Sequence, residues 1–178
     1  MNKKVSKKSS TISKQAMIAA IYTVVSVCLS AITYGPFQIR ISEALTMLPV
    51  FAFNNVWGVT IGCFLTNLVG FFTGANILGS LDIIFGTSAT FAAALSTYCL
   101  RNIRFKGLPV LAAIPPIIFN AVVVGWELCV MISGGFNPVV FIAQAASVAM
   151  GQTISCGVLG IAMVGIIEKN TTLKELIR

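Results

Sequence analysis

From Ile41 to Phe72 the chain is an apolar run whose single charged side chain is Glu43. A soluble domain of this size still exposes roughly a third of its surface, so it cannot hide such a stretch together with the others like it. Further apolar runs follow the same pattern at Ala16–Ile32, Leu81–Leu100, Pro109–Ile132 and Val139–Ile167. Overall 57% of the residues are hydrophobic and 10% charged, against about a quarter charged in an ordinary soluble domain. Lipid is therefore the solvent. The expected fold is all-α: a polytopic membrane protein. The 41–72 run is too long for one crossing of a hydrocarbon core about 30 Å thick, which takes about 20 residues. Asn54-Asn55 divides it at a plausible turn.

Charge parity sets the number of crossings. Lys3, Lys4, Lys7, Lys8 and Lys14, then Arg101, Arg104 and Lys106, then Lys169, Lys174 and Arg178 account for every basic residue except Arg40. Basic flanks face the cytoplasm, so an even number of helices separates each group from the next. Six spans satisfy this: Gln15–Thr33, Ser42–Phe53, Val56–Phe72, Leu81–Leu100, Pro109–Ile132 and Val139–Ile167, with both termini cytoplasmic. The domain map is a basic segment 1–14, a six-helix unit 15–168 and a tail 169–178. The first helix is read as retained and not as a cleaved leader. The second span is short, so it should be tilted, packed within the protein or capped by loops. Pro115-Pro116 and Pro49 should kink their helices.

The net charge of +7 reports orientation in the membrane, and no nucleic-acid partner is expected. Histidine is absent, and the five cysteines form no C-x-x-C pair. They read as small buried hydrophobes, and no metal, cofactor or enzymatic chemistry is implied. Small residues four apart (Ala16/Ala20, Gly58/Gly62, Gly70/Gly74, Ala145/Ala149) allow close helix packing. Ala16/Ala20, near the cytoplasmic end of the first helix, suits either packing or contact with another membrane protein.

Away from the cytoplasmic flanks four charges remain, Arg40, Glu43, Asp82 and Glu127, all placed by the topology in the outer half. Glu127 lies about five residues inside its span, roughly 7 Å deep at 1.5 Å per residue, where an ionised carboxylate costs about 2.5 kcal/mol or more. It is the leading site candidate. Asp82 either contacts a ligand or complements the N-terminus of its helix. Glu43 either contacts a ligand or pairs with Arg40, three residues away. Asn67, Asn120 and Gln144 either bond helices together or line the same pocket, and Asn76 sits in the adjoining loop. Trp126 belongs to the interfacial belt or stacks on a ring, as Phe37 also can. Three acids against one arginine favour a cationic or donor-rich solute.

The run Gln38-Ile39-Arg40-Ile41-Ser42-Glu43-Ala44-Leu45-Thr46-Met47-Leu48-Pro49 resembles the QueT family. Similar features continue at Gly58-x-x-x-Gly62-Cys63, Asn67-Leu68-x-Gly70 and Asp82-x-x-x-Gly86-Thr87. The resemblance implies a substrate-binding (S) component of an energy-coupling factor (ECF) transporter in a bacterial cytoplasmic membrane. Its expected substrate is a queuosine precursor such as 7-aminomethyl-7-deazaguanine, whose aminomethyl group is cationic and whose guanine-like edge donates N–H bonds. The implied partners are an EcfT-type transmembrane coupling protein and two ATPases, with Ala16 and Ala20 matching the contact pattern. On this reading Arg40 orients Glu43, and two of the three acids meet the ligand. The alternatives are an S component for another vitamin-like solute and a stand-alone transporter or channel.

Overall fold

The computed structural model describes residues 2–34 and 39–178, with side chains from residue 9 onward. Every regular element among them is helical. In chain order these are α1 (Asn2–Cys28), the single turn α2 (Ser30–Thr33), a 3₁₀ helix (Ile41–Val50), α3 (Asn55–Phe72) and α4 (Leu81–Leu100). A 3₁₀ turn (Val110–Ala113) then leads into α5 (Ile114–Ser133). α6 (Pro138–Gln152), a π-helical segment (Thr153–Gly160) and α7 (Ile161–Lys169) form one continuous helical rod, followed by α8 (Thr171–Ile177). Five stretches are long and apolar enough to cross a membrane: Ser9–Cys28, Asn55–Phe72, Leu81–Leu100, Val110–Ser133 and Pro138–Lys169. The protein is an all-helical, multi-pass membrane protein.

The short second segment takes a form the sequence did not announce. It is ten residues of 3₁₀ helix, most of them buried. At about 2.0 Å per residue the 3₁₀ form covers about 20 Å, where an α-helix of that length covers about 15 Å. Two local features suit tight winding. Thr46 Oγ1 donates to the Glu43 carbonyl at 2.6 Å, and Pro49 has no N–H to give. The segment packs against α1, α3, α4 and the π segment, and so fills the middle of the bundle. The break expected at Asn54-Asn55 is present, and Asn55 opens α3.

Small residues govern the closest packing. A Cβ on Gly62 would lie 2.7 Å from Tyr22 Cβ, and one on Gly58 would lie 2.6 Å from Gln15 Oε1. These glycines let α1 lie directly on α3. α5 and α6 meet the same way, with Gly125 against Ala145. Gly74 does not share this role; it sits at φ +69 in the turn after α3, with nothing near it. Pro115 and Pro116 fall in the first turn of α5, where their missing N–H groups are unneeded. The expected kink is thus a junction between a 3₁₀ turn and an α-helix. Cys63, Cys129 and Cys156 are buried as expected, but Cys28 and Cys99 lie on the exposed surface.

The basic segments gather at one end. Lys14 Nζ donates to the Glu175 carbonyl at 3.1 Å, and Arg104 pairs with Glu168. Two apolar clusters underlie the polar layer described next. One joins Ile18, Leu48, Val56 and Ile167; the other joins Met47, Val50, Ala113 and Val164.

Candidate functional site

Arg40 precedes the 3₁₀ helix and Asp82 opens α4, so both backbones end where their side chains can meet. Arg40 Nη2 lies 2.5 Å from Asp82 Oδ2, and both side chains are buried. Asn76 Nδ2 donates to the same oxygen at 2.8 Å, and Asn67 Nδ2 donates to the Asp82 carbonyl at 2.7 Å. The carboxylate fits because residue 86 is glycine: a Cβ there would lie 1.8 Å from Asp82 Oδ1. Arg40 therefore pairs with Asp82 and not with Glu43. The three-residue spacing to Glu43 was misleading because residue 40 is extended, at φ −87 and ψ 93, and the helical geometry that would bring the two together begins after it.

Glu43 instead has its own donors. Tyr22 gives its hydroxyl proton to Oε1 at 2.5 Å, Thr46 shares its one proton between the Glu43 carbonyl and Oε2 at 2.7 Å, and Thr90 reaches Oε1 at 3.4 Å. Cys63 links the two carboxylate environments, taking bonds from Thr90 at 3.3 Å and Asn67 at 3.6 Å. From the π segment, Cys156 donates to the Glu43 carbonyl at 3.1 Å.

Glu127, on α5, is fully buried, and neither carboxylate oxygen has a hydrogen-bond partner among the described residues. It lies within the electrostatic reach of Asp82 and Arg40. About two turns earlier on the same helix, Asn120, whose amide nitrogen has no partner among the described residues, lines a small void together with Arg40, Val124, Val148 and Gln152. The void measures about 10 Å³, room for about one water molecule.

The layer has a distinctive imbalance. Among the described residues, the groups here without a hydrogen-bond partner are both oxygens of Glu127, Asp82 Oδ1 and Asn67 Oδ1 as acceptors, Arg40 Nε and Asn120 Nδ2 as donors, and the Thr66, Thr87 and Ser155 hydroxyls, which can serve as either. Buried polar groups are ordinarily satisfied, and each lapse costs about 1–3 kcal/mol. The arrangement is chemically suited to a solute rich in donors or positively charged.

Of the residues nominated from the sequence, Arg40, Asp82, Asn67 and Asn76 form one bonded group, Glu43 adjoins it through Cys63, and Glu127 and Asn120 face it from α5. Gln144 is half-buried on α6, outside the bonded group. Trp126 is exposed and packs edge-on against Phe85 at 5.6 Å, as a lipid-facing belt residue does. Phe37 lies outside the described residues. Tyr22, Thr46, Thr90 and Gln152 were not foreseen. Tyr22 and Ser26 carried a usable signal: two polar groups four apart on an apolar helix share a face, and both prove buried.

A membrane-crossing helical bundle that encloses an acceptor-rich polar layer above apolar clusters defines a solute-handling membrane protein. The comparisons give this class a family. The profile of the QueT transporter family matches residues 12–169, and the chain belongs to that family, which is one of transporters and not enzymes. A curated relative, "Queuosine precursor transporter QueT" from Lactococcus lactis subsp. cremoris (strain MG1363), is 39% identical over 71 residues. That alignment covers 39% of this chain and 42% of the relative, so the match spans about two-fifths of the relative's length. No solved structure matches the chain.

Proposed function

We propose that this protein is the substrate-binding component of an ECF-type ABC importer in a bacterial cytoplasmic membrane. It captures a 7-deazapurine queuosine precursor, such as 7-aminomethyl-7-deazaguanine, from the outer side. The observation that carries this reading is the excess of unpaired acceptors around Glu127 and Asp82. The ligand's cationic aminomethyl group is assigned to Glu127, and its N–H edge to Asp82 Oδ1 and Asn67 Oδ1. Asn120 and Arg40 supply donors to the ligand's acceptors. Glu43 already holds its donors and positions the 3₁₀ helix that Arg40 precedes.

A void of about 10 Å³ does not admit a heterocycle. A ligand entering at this void would displace α5 and α6 from Arg40. Energy for release comes from elsewhere: an EcfT-type coupling protein and two ATPases. Ala16 and Ala20 support that assembly, because both are exposed on α1 while Ile18, Ala19 and Tyr22 face α3. The apolar clusters beneath the site favour such a partner over a stand-alone channel.

The test is a thermal-shift screen of the purified protein against 7-deazapurines and vitamins. The aminomethyl compound should give the largest stabilisation. A larger response to an unrelated vitamin would keep the binding role and replace the substrate, and no response to any solute would remove the binding role.

A further inference from the structure

At the basic end of the bundle lies a groove of about 490 Å³ between the 101–108 loop and α7. We propose that it binds the headgroup of an anionic phospholipid from the leaflet at that end. Its walls are apolar, from Leu108, Ala162 and Ile166, with Gly165 against Leu108. Lys106 and Lys169 line it as well. The one acid in the lining, Glu168, is ion-paired with Arg104, so the lysine charges are not cancelled from within the groove.

The loop is built to hold Lys106 in place. Phe105 and Leu108 exchange reciprocal backbone bonds of 2.8 and 3.0 Å, and the two residues between them have φ 49 (Lys106) and φ 86 (Gly107). Positive φ at both central positions defines a tight hairpin turn that ordinarily carries Asn-Gly or Gly-Gly. Here a lysine occupies the position that suits asparagine or glycine, and the turn fixes its backbone at the groove.

The surroundings identify the occupant. The groove lies where the Pro138–Lys169 span ends and shortly before Val110 begins another, and the ends of apolar spans meet the headgroup region. Ile166 is 64% exposed and Phe105 66%, so apolar surface continues from the lysines toward the hydrocarbon. Two cations above an apolar wall match a phosphate attached to acyl chains; a free phosphate would use only the cations.

The test is native mass spectrometry of the full chain in detergent, titrated with phosphatidylglycerol or with phosphatidylcholine of the same acyl chains. Phosphatidylglycerol should be retained about tenfold more strongly. The Lys106→Gln/Lys169→Gln variant should lose that preference, and Lys174→Gln, a tail lysine that does not line the groove, should keep it. Equal retention of the two lipids by the unaltered protein, or a preference that survives the double substitution, would overturn the proposal. Displacement of the lipid by millimolar inorganic phosphate alone would assign the groove to a soluble anion instead. A melting temperature close to that of the unaltered protein shows that the variants are folded.

Discussion

Glu43 and Glu127 are both fully buried carboxylates in one polar layer, yet their surroundings have little in common. Glu43 accepts from Tyr22 and Thr46 at 2.5 and 2.7 Å, and sits on a 3₁₀ helix wedged among three other helices and a π segment. Glu127 sits on a regular α-helix and has no hydrogen-bond partner among the described residues. Burial alone therefore does not mark a functional acid. A saturated carboxylate holds the protein together, and one left without donors is available to something from outside. Asp82 lies between these extremes, with one oxygen held by Arg40 and Asn76 and the other without a partner among the described residues.

The largest effect should come from the intermediate case. Asp82→Asn leaves Arg40 buried without its counter-ion and should destabilise the protein by about 3–5 kcal/mol. Thermal unfolding in detergent reads this, and a second change, Arg40→Gln, should recover part of the loss. No recovery in the double variant would mean that the two side chains are not coupled.

Glu43→Gln tests the saturated side. Bonds to a charged acceptor are worth about 1.5–3 kcal/mol, so stability should fall by about that amount. Combining it with Tyr22→Phe should cost less than the two single losses together, because they share one bond. Strict additivity would separate Tyr22 from Glu43 and weaken the contrast.

Asn120→Leu sharpens the unsatisfied side with the smallest effect. Removing an unpaired buried donor should raise the stability of the ligand-free protein by about 1 kcal/mol or leave it unchanged. Affinity for the deazapurine should drop about fivefold, the worth of one neutral hydrogen bond. A destabilised variant with unaltered affinity would make Asn120 a packing residue.

The regular part of the bundle was legible from hydropathy. α4 runs from Leu81 to Leu100 as read from the sequence, and α3 begins one residue before the expected Val56. There the length of an apolar run and its flanking turn residues decide the outcome. The centre was not legible in the same way. The 3₁₀ winding of Ile41–Val50 and the π winding of Thr153–Gly160 answer to each other: a Cβ on Gly160 would lie 2.7 Å from Met47 Cγ. Apolar periodicity says nothing about how tightly a buried helix is wound when all its faces are covered.

The site divides similarly. That Glu43, Asp82 and Glu127 lie buried follows from their place in or at the start of apolar runs. Their partners could not be read in that way, because the Arg40–Asp82 bond spans forty-two residues and the Tyr22–Glu43 bond twenty-one. Local spacing proposed the wrong partner for Arg40, since a contact across two intervening helices is set by packing and not by sequence distance.

Equilibrium binding of radiolabelled 7-aminomethyl-7-deazaguanine to Glu127→Gln, beside unfolding of the same ligand-free variant, bears most directly on the division between occupied and available carboxylates. Affinity should fall about a hundredfold, the effect of removing one charge from a buried ion pair. The ligand-free variant should melt at or above the temperature of the unaltered protein. Affinity within about twofold of the original, together with a lower melting temperature, would show that Glu127 supports the fold and that the ligand is held elsewhere.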